Sequence, residues 1–219
     1  MSKRLFLPLI LTLALLLVFS SGGWATGVSF TDTQNHWAAA WIESVSAQGI
    51  MYGLSNGLFA PDLAMTRAQF AVTLHRTFKF DYGDFKFIKA PVVTDYFDDV
   101  KPDSWYSEAV LMCAINNIFT VNDRKFKPDE PITRIEAAQA IEKSFQAKKI
   151  QVIMIMIWPI YKDMSETETS KVIFVSNTGI MKGWNGFFRP YDKLTRAEAA
   201  VALDRTAKII RENEKKAEK

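Results

Sequence analysis

Three arginines occupy the same place in a segment that occurs three times. Arg67, Arg134 and Arg196 each follow a threonine, in Thr66-Arg67-Ala68-Gln69, Thr133-Arg134-Ile135-Glu136 and Thr195-Arg196-Ala197-Glu198. A threonine with Gln or Glu three residues later is a capping box, so each arginine takes the first position of a helix. There it lies beside the positive end of the helix dipole, where free backbone N–H groups attract anions. Its planar fork matches a carboxylate through two hydrogen bonds. A charge-assisted bond of this kind contributes roughly 1.5–3 kcal/mol. The competing use of the same arginines is structural: each could pair with an aspartate of its own unit and close the fold.

Catalytic constellations are missing from the sequence. Cys113 is the single cysteine, which leaves no disulfide framework and no multi-cysteine metal site. It aligns with Val45 and Val175 at a buried helix position and reads as a small core hydrophobe. His36 and His75 fall in different elements, with no further His or Cys to complete a metal site. His36 aligns with Ser104 and belongs to a helix start. Asp98 and Asp99 are adjacent and turn-like, not an acid/base pair set across a cleft. There is no nucleophile elbow, phosphate loop or dinucleotide fingerprint. The reading is a protein that is not an enzyme and needs no cofactor.

The elements that would position the arginines also repeat. Upstream of each Thr-Arg pair runs Phe-x-Pro: Phe59 and Pro61, Phe126 and Pro128, Phe188 and Pro190. In every copy Phe precedes Thr by seven residues, across copies 67 and 62 residues apart. Farther upstream lies an amphipathic helix, led by Trp37 in the first unit, Trp105 in the second and Thr167 in the third. Before that helix comes an aromatic residue and then Asp: Phe30 and Asp32, Phe97 and Asp99, Tyr161 and Asp163. The second helix continues through Phe70, Leu74 and Phe78, then Ala137, Ile141 and Phe145, then Ala199, Leu203 and Ile209. One helix pair cannot bury its apolar face alone, but three stacked pairs can. The expected fold class is all-α, three helix-loop-helix repeats with short extended linkers.

The expected divisions are repeat 1 over 28–78, a linker over 79–96, repeat 2 over 97–145, an apolar linker over 146–160, repeat 3 over 161–210 and a charged tail over 211–219. The apolar linker contains Val152-Ile153-Met154-Ile155-Met156-Ile157-Trp158 and reads as a strand or a buried strap. The tail reads as the fraying end of the last helix. Residues 1–25 form a signal peptide: Lys3 and Arg4, an uncharged run from Leu5 to Phe19, and small residues Gly23 and Ala25 before the expected cleavage. An uncleaved anchor is the competing reading of that run. This segment holds two of the 27 basic residues and none of the 24 acidic ones, so the mature chain carries about +1. Such a balance gives no bulk field for nucleic acid, so any anion must be held by placed side chains.

These motifs resemble the S-layer homology family. The resemblance rests on the aromatic-x-Asp start, the Trp-led helix, Gly49-Ile50 with Gly53 and Gly57, Gly179-Ile180 with Gly183 and Gly186, Phe-x-Pro, and the Thr-Arg-Ala-Glu signature. It covers about residues 28–210. It implies a pseudo-threefold spindle of helices with ligand grooves between repeats. It also implies a bacterial protein secreted to the cell wall or cell surface. The implied partner is an anionic secondary cell-wall polysaccharide, often ending in pyruvylated N-acetylmannosamine, with no nucleic acid and no membrane contact after signal cleavage. By analogy Arg67, Arg134 and Arg196 face the grooves.

The full candidate set is Arg67, Arg196, Arg134, Asp32, Asp163, Trp37, Gly53 and Gly183. The aspartates could instead cap turns, and Trp37 and Trp105 could pack in the core rather than stack on a sugar. Repeat 2 departs from the pattern, with Asn117, Val121 and Arg124 at its glycine positions. Glycine there would supply positive φ and let a ligand approach the backbone, so a reshaped groove is expected beside repeat 2. The site of repeat 1 ranks first and that of repeat 3 second. The alternative is an envelope scaffold that has lost glycan binding and recruits another surface protein.

Overall fold

The computed structural model describes residues 30–54, 56–83 and 85–217. The expected signal peptide lies outside them. Seven α-helices are present among the described residues: α1 (Ala39–Ala47), α2 (Arg67–Phe78), α3 (Ser107–Ile115), α4 (Arg134–Ala147), α5 (Glu166–Ser170), α6 (Ile173–Asn177) and α7 (Arg196–Ala217). No sheet joins them, and the all-α expectation holds.

The three long helices begin where the capping boxes placed them. The Thr66 hydroxyl accepts from Gln69 N–H at 3.2 Å, the Thr133 hydroxyl from Glu136 N–H at 3.4 Å and the Thr195 hydroxyl from Glu198 N–H at 3.2 Å. Each N3 side chain returns the bond to the threonine N–H. A cap of this type contributes about 1 kcal/mol.

These helix starts meet around a pseudo-threefold axis. Met65 N–H donates to Leu194 O, Leu194 N–H to Ile132 O, and Ile132 N–H to Met65 O, each at 2.9 Å. Three residues alike in sequence position thus close a ring of backbone bonds. Helix packing closes the same ring: α1 lies on α7, α3 on α2, and α6 on α4. Every first helix leans on the second helix of the preceding unit, and the contact of α1 with α7 joins the ends of the chain. This arrangement gives each short helix pair a partner for its apolar face.

Below the ring the units share one packing detail. Phe30 meets Phe59 at 5.4 Å between ring centroids, Phe97 meets Phe126 at 5.3 Å and Tyr161 meets Phe188 at 5.3 Å, with interplanar angles of 50°, 50° and 54°. Cys113 lies buried between α3 and α2, its Sγ 3.9 Å from Ala71 O. Burial pushes its thiol well above the ordinary range.

Three expectations are corrected. The residue of α7 matching Phe78 and Phe145 is Ala207, which is buried, while Ile209 lies half-buried beyond it. The first helix of the third unit is broken at Lys171–Val172 into α5, which the Ser165–Glu168 capping box starts, and α6. The tail continues α7, which runs on to Ala217. The apolar linker is neither strand nor buried strap. Residues 151–160 run without regular structure, and Ile153 and Ile155 are 97% and 80% exposed. Its backbone is tied at Ile157, whose N–H and C=O both bond the Asn177 side chain.

Candidate functional site

All three arginines are buried, with 5–6% exposure. Each crosses from its own unit to the next. Arg67 Nε donates to Phe126 O at 2.7 Å, Arg134 Nε to Phe188 O at 2.9 Å, and Arg196 Nε to Phe59 O at 2.7 Å. Each guanidinium also lies over the ring of that same phenylalanine, at 5.2, 5.1 and 4.5 Å. None of these bonds runs to the unit's own aspartate. Burial pulls Arg134 below its ordinary pKa, with Glu198 opposing, and does the same to Arg196, with Asp32 opposing.

The helix starts are not open anion sites. Arg67 and Ala68 N–H donate to Glu130 and Pro128 carbonyls; Arg134 and Ile135 donate to Asp192 and Pro190; Arg196 and Ala197 donate to Leu63 and Pro61. With the third N–H taken by the unit's own threonine, the expected free N–H groups are all occupied. Anion attraction must come from side chains.

Asp32 and Asp163 cap turns, the use weighed beside ligand contact. The Asp32 carboxylate accepts from Phe59 N–H at 3.0 Å and Ala60 N–H at 2.7 Å, and Asp163 accepts from Phe188 N–H at 3.0 Å and Arg189 N–H at 2.7 Å. Asp99 clamps Phe126 and Lys127 identically, at 2.8 and 2.7 Å. Ala60, Lys127 and Arg189 all sit at positive φ, between 53° and 59°. The aspartate holds a left-handed residue that side chains otherwise avoid. Partial burial raises the Asp32 carboxyl, but the two N–H groups and the nearby Arg196 outweigh it, and the pKa falls below the usual range.

The glycines divide into two kinds. Gly49, Gly57, Gly179 and Gly186 have φ of 70–82°, and in repeat 2 Asn117 and Arg124 hold the matching left-handed positions at 59° and 53°. Repeat 2 therefore keeps its backbone turn without those glycines. Gly53 and Gly183 are needed for space instead. A Cβ on Gly53 would lie 2.4 Å from the Phe30 ring and 2.9 Å from Leu58 O; one on Gly183 would lie 2.5 Å from the Tyr161 ring and 2.6 Å from Phe187 O.

Three grooves open between units, and two of them draw on all three units. The largest, about 730 Å³, joins Arg134 of unit 2, Gly183 and Trp184 of unit 3, and Trp37 of unit 1. Lys182, Arg189 and Arg205 add to Arg134, against the single carboxylate of Glu198. A second groove, about 190 Å³, joins Arg196 of unit 3, Gly53 of unit 1 and Trp105 of unit 2, with Arg76 and no carboxylate in its lining. Arg76 rests on the Tyr52 ring at 4.5 Å. The third groove, about 410 Å³, holds Arg67 with the repeat 2 loop at Thr120–Asp123. Its three cations face three carboxylates, and its lining has no tryptophan. Trp37, Trp105 and Trp184 are 59%, 67% and 76% exposed, so they face the solvent and not the core.

The expected grouping by repeat is thus corrected. Arg67, Trp37 and Gly53 belong to three different grooves. The better-built grooves are those of Arg134 with Gly183 and of Arg196 with Gly53. Sequence reasoning left Trp184, Arg76 and Arg205 unassigned. Arg76 and Arg205 each stand ten residues after their capping threonine, a spacing that marks them as partners across repeats.

The sequence model of the S-layer homology domain matches residues 29–71, 96–138 and 160–200, more than half of the chain. The chain belongs to the S-layer homology family. Its relatives include an amylopullulanase of Thermoanaerobacterium thermosulfurigenes, 28% identical over 180 residues, covering 80% of this chain and 9% of that protein. The surface-layer 125 kDa protein of Lysinibacillus sphaericus is 30% identical over 182 residues, 77% of this chain and 14% of the relative. A cellulosome-anchoring protein of Acetivibrio thermocellus is 27% identical over 155 residues, 67% of this chain and 34% of the relative. The chain spans well under half the length of each. Membership in the S-layer homology family places it among bacterial cell-surface proteins.

Proposed function

We propose that this S-layer homology protein is a non-catalytic anchoring module that holds an anionic, pyruvylated secondary cell-wall polysaccharide in the Gly183 and Gly53 grooves. The carrying observation is the coincidence, in those two grooves, of excess positive charge and an exposed tryptophan. In the larger groove four cations face one carboxylate beside Trp37 and Trp184. Flat indole faces suit sugar rings, and the guanidinium groups suit their acidic substituents. The Arg67 groove is neutral and has no tryptophan, so it contributes to the fold and not to the ligand.

The test is co-sedimentation with purified wall sacculi, intact or stripped of their secondary polymer. Binding that requires the polymer and falls at least tenfold in Trp37→Ala and Trp105→Ala supports the proposal. No binding to intact sacculi refutes it and leaves the protein-scaffold reading.

A further inference from the structure

The three grooves differ at one position that decides whether the buried arginine is already neutralised. The residue at N3 of each long helix faces the arginine of the preceding unit. In the third groove it is Glu136, which takes Arg67 Nη1 at 2.5 Å. In the largest groove it is Glu198, which takes Arg134 Nη1 at 2.9 Å and Arg189 Nη2 at 3.2 Å. In the Gly53 groove it is Gln69, whose Oε1 is occupied by Thr66 N–H at 3.1 Å.

Arg196 therefore has no carboxylate bonded to it; Asp32 acts on it only through space, with both of its oxygens held by Phe59 and Ala60 N–H. Its Nε reaches Phe59 O at 2.7 Å and its Nη2 reaches Tyr52 O at 2.8 Å, while Nη1 finds no acceptor among the described residues. No carboxylate of the described residues lies within ion-pair distance of it, although the side chain is buried to 5% exposure and lines the groove. A buried charge with no carboxylate bonded to it is costly, and a carboxylate arriving from outside offsets part of that cost. In the other two grooves the same carboxylate would have to displace an internal glutamate.

We propose that Gln69 makes the Gly53 groove the carboxylate-receiving site of this protein, with Arg196 Nη1 as the group that takes the acid. Glutamates 136 and 198 hold the other two arginines in reserve, so the largest groove grips its ligand by shape and secondary cations. The inference rests on the glycan reading for the ligand's source, but its carboxylate chemistry is testable apart from any wall polymer.

The indole N–H signals of Trp105 and Trp37 report the two grooves separately by NMR. Sodium pyruvate serves as probe, at ionic strength matched with sodium chloride, with neutral pyruvamide in parallel. Pyruvate is expected to shift Trp105 saturably and Trp37 at concentrations at least fivefold higher, with pyruvamide moving neither. Gln69→Glu keeps the capping box, as Glu136 and Glu198 do, and is expected to weaken the Trp105 response at least tenfold. Glu198→Gln is expected to bring the Trp37 response to lower pyruvate. A silent Trp105, a Trp37 response at equal or lower concentration, or a Gln69→Glu protein that responds like the parent overturns the inference. A normal Trp105 response in a protein that ignores sacculi leaves the inference standing and removes the glycan reading.

Discussion

Replacing Arg67 separates the structural use of the arginine triad from its use in binding. Its Nε bond to Phe126 O is buried and charge-assisted, and contributes about 1.5–3 kcal/mol. The Glu136 partner is 39% exposed, so solvent screening reduces that ion pair to about 0.5–1 kcal/mol. Loss of the guanidinium's contact with the Phe126 and Phe119 rings adds to this. Arg67→Ala is therefore expected to destabilise the fold by about 3 kcal/mol, or roughly 6–12 °C in Tm for a chain of this size. Arg67→Lys keeps the charge but loses the fork, and should fall between. Urea unfolding followed by tryptophan fluorescence measures both, with an unchanged m-value as the check on compactness. Sacculus binding by the folded fraction should stay within twofold of the parent. A destabilisation under about 1 kcal/mol, or a collapse of binding in a folded protein, would refute the assignment of Arg67 to the closing of the ring.

Other consequences follow from single residues. Gly53→Ala places a Cβ against the Phe30 ring and Leu58 O, and should cost about 2 kcal/mol or more in urea unfolding. Asp32 has a folded pKa below its unfolded value, so its stabilisation is present above the usual Asp range near 4 and is lost as pH falls through the depressed value. Asp32→Asn should be less stable at pH 7 and flatten the acid limb of the stability curve. The Cys113 thiol is buried and its pKa raised, so Ellman's reagent should label it only after unfolding. Ile153→Ser and Ile155→Ser remove nearly fully exposed side chains, and should change stability by less than about 0.5 kcal/mol.

Local chemistry was legible in the sequence. The Thr-x-x-Gln/Glu spacing places each long helix to the residue, because a capping box is set by four consecutive residues. The aromatic-x-Asp and Phe-x-Pro motifs marked a repeated contact, though their meaning, a carboxylate clamping a left-handed residue, needed the fold. What the sequence hid was the partner of each element. Trp37 stands 30 residues before Arg67 in the chain, yet faces Arg134 and Gly183, because the ring closes through α1 and α7. Burial of the arginines was equally hidden: the carbonyls that hold them lie 54 to 137 residues away. The exposed Ile153–Ile160 strap misled for the opposite reason, since apolar composition argues for burial and nothing in the described residues covers it.

The central claim is tested most directly by calorimetric titration of purified secondary polymer into the protein, with the polymer intact or stripped of its pyruvate. The account predicts saturable binding of the intact polymer that weakens at least tenfold on depyruvylation and on combining Trp37→Ala with Trp105→Ala. Equal affinity for both polymers, or full affinity in the double variant, would contradict it.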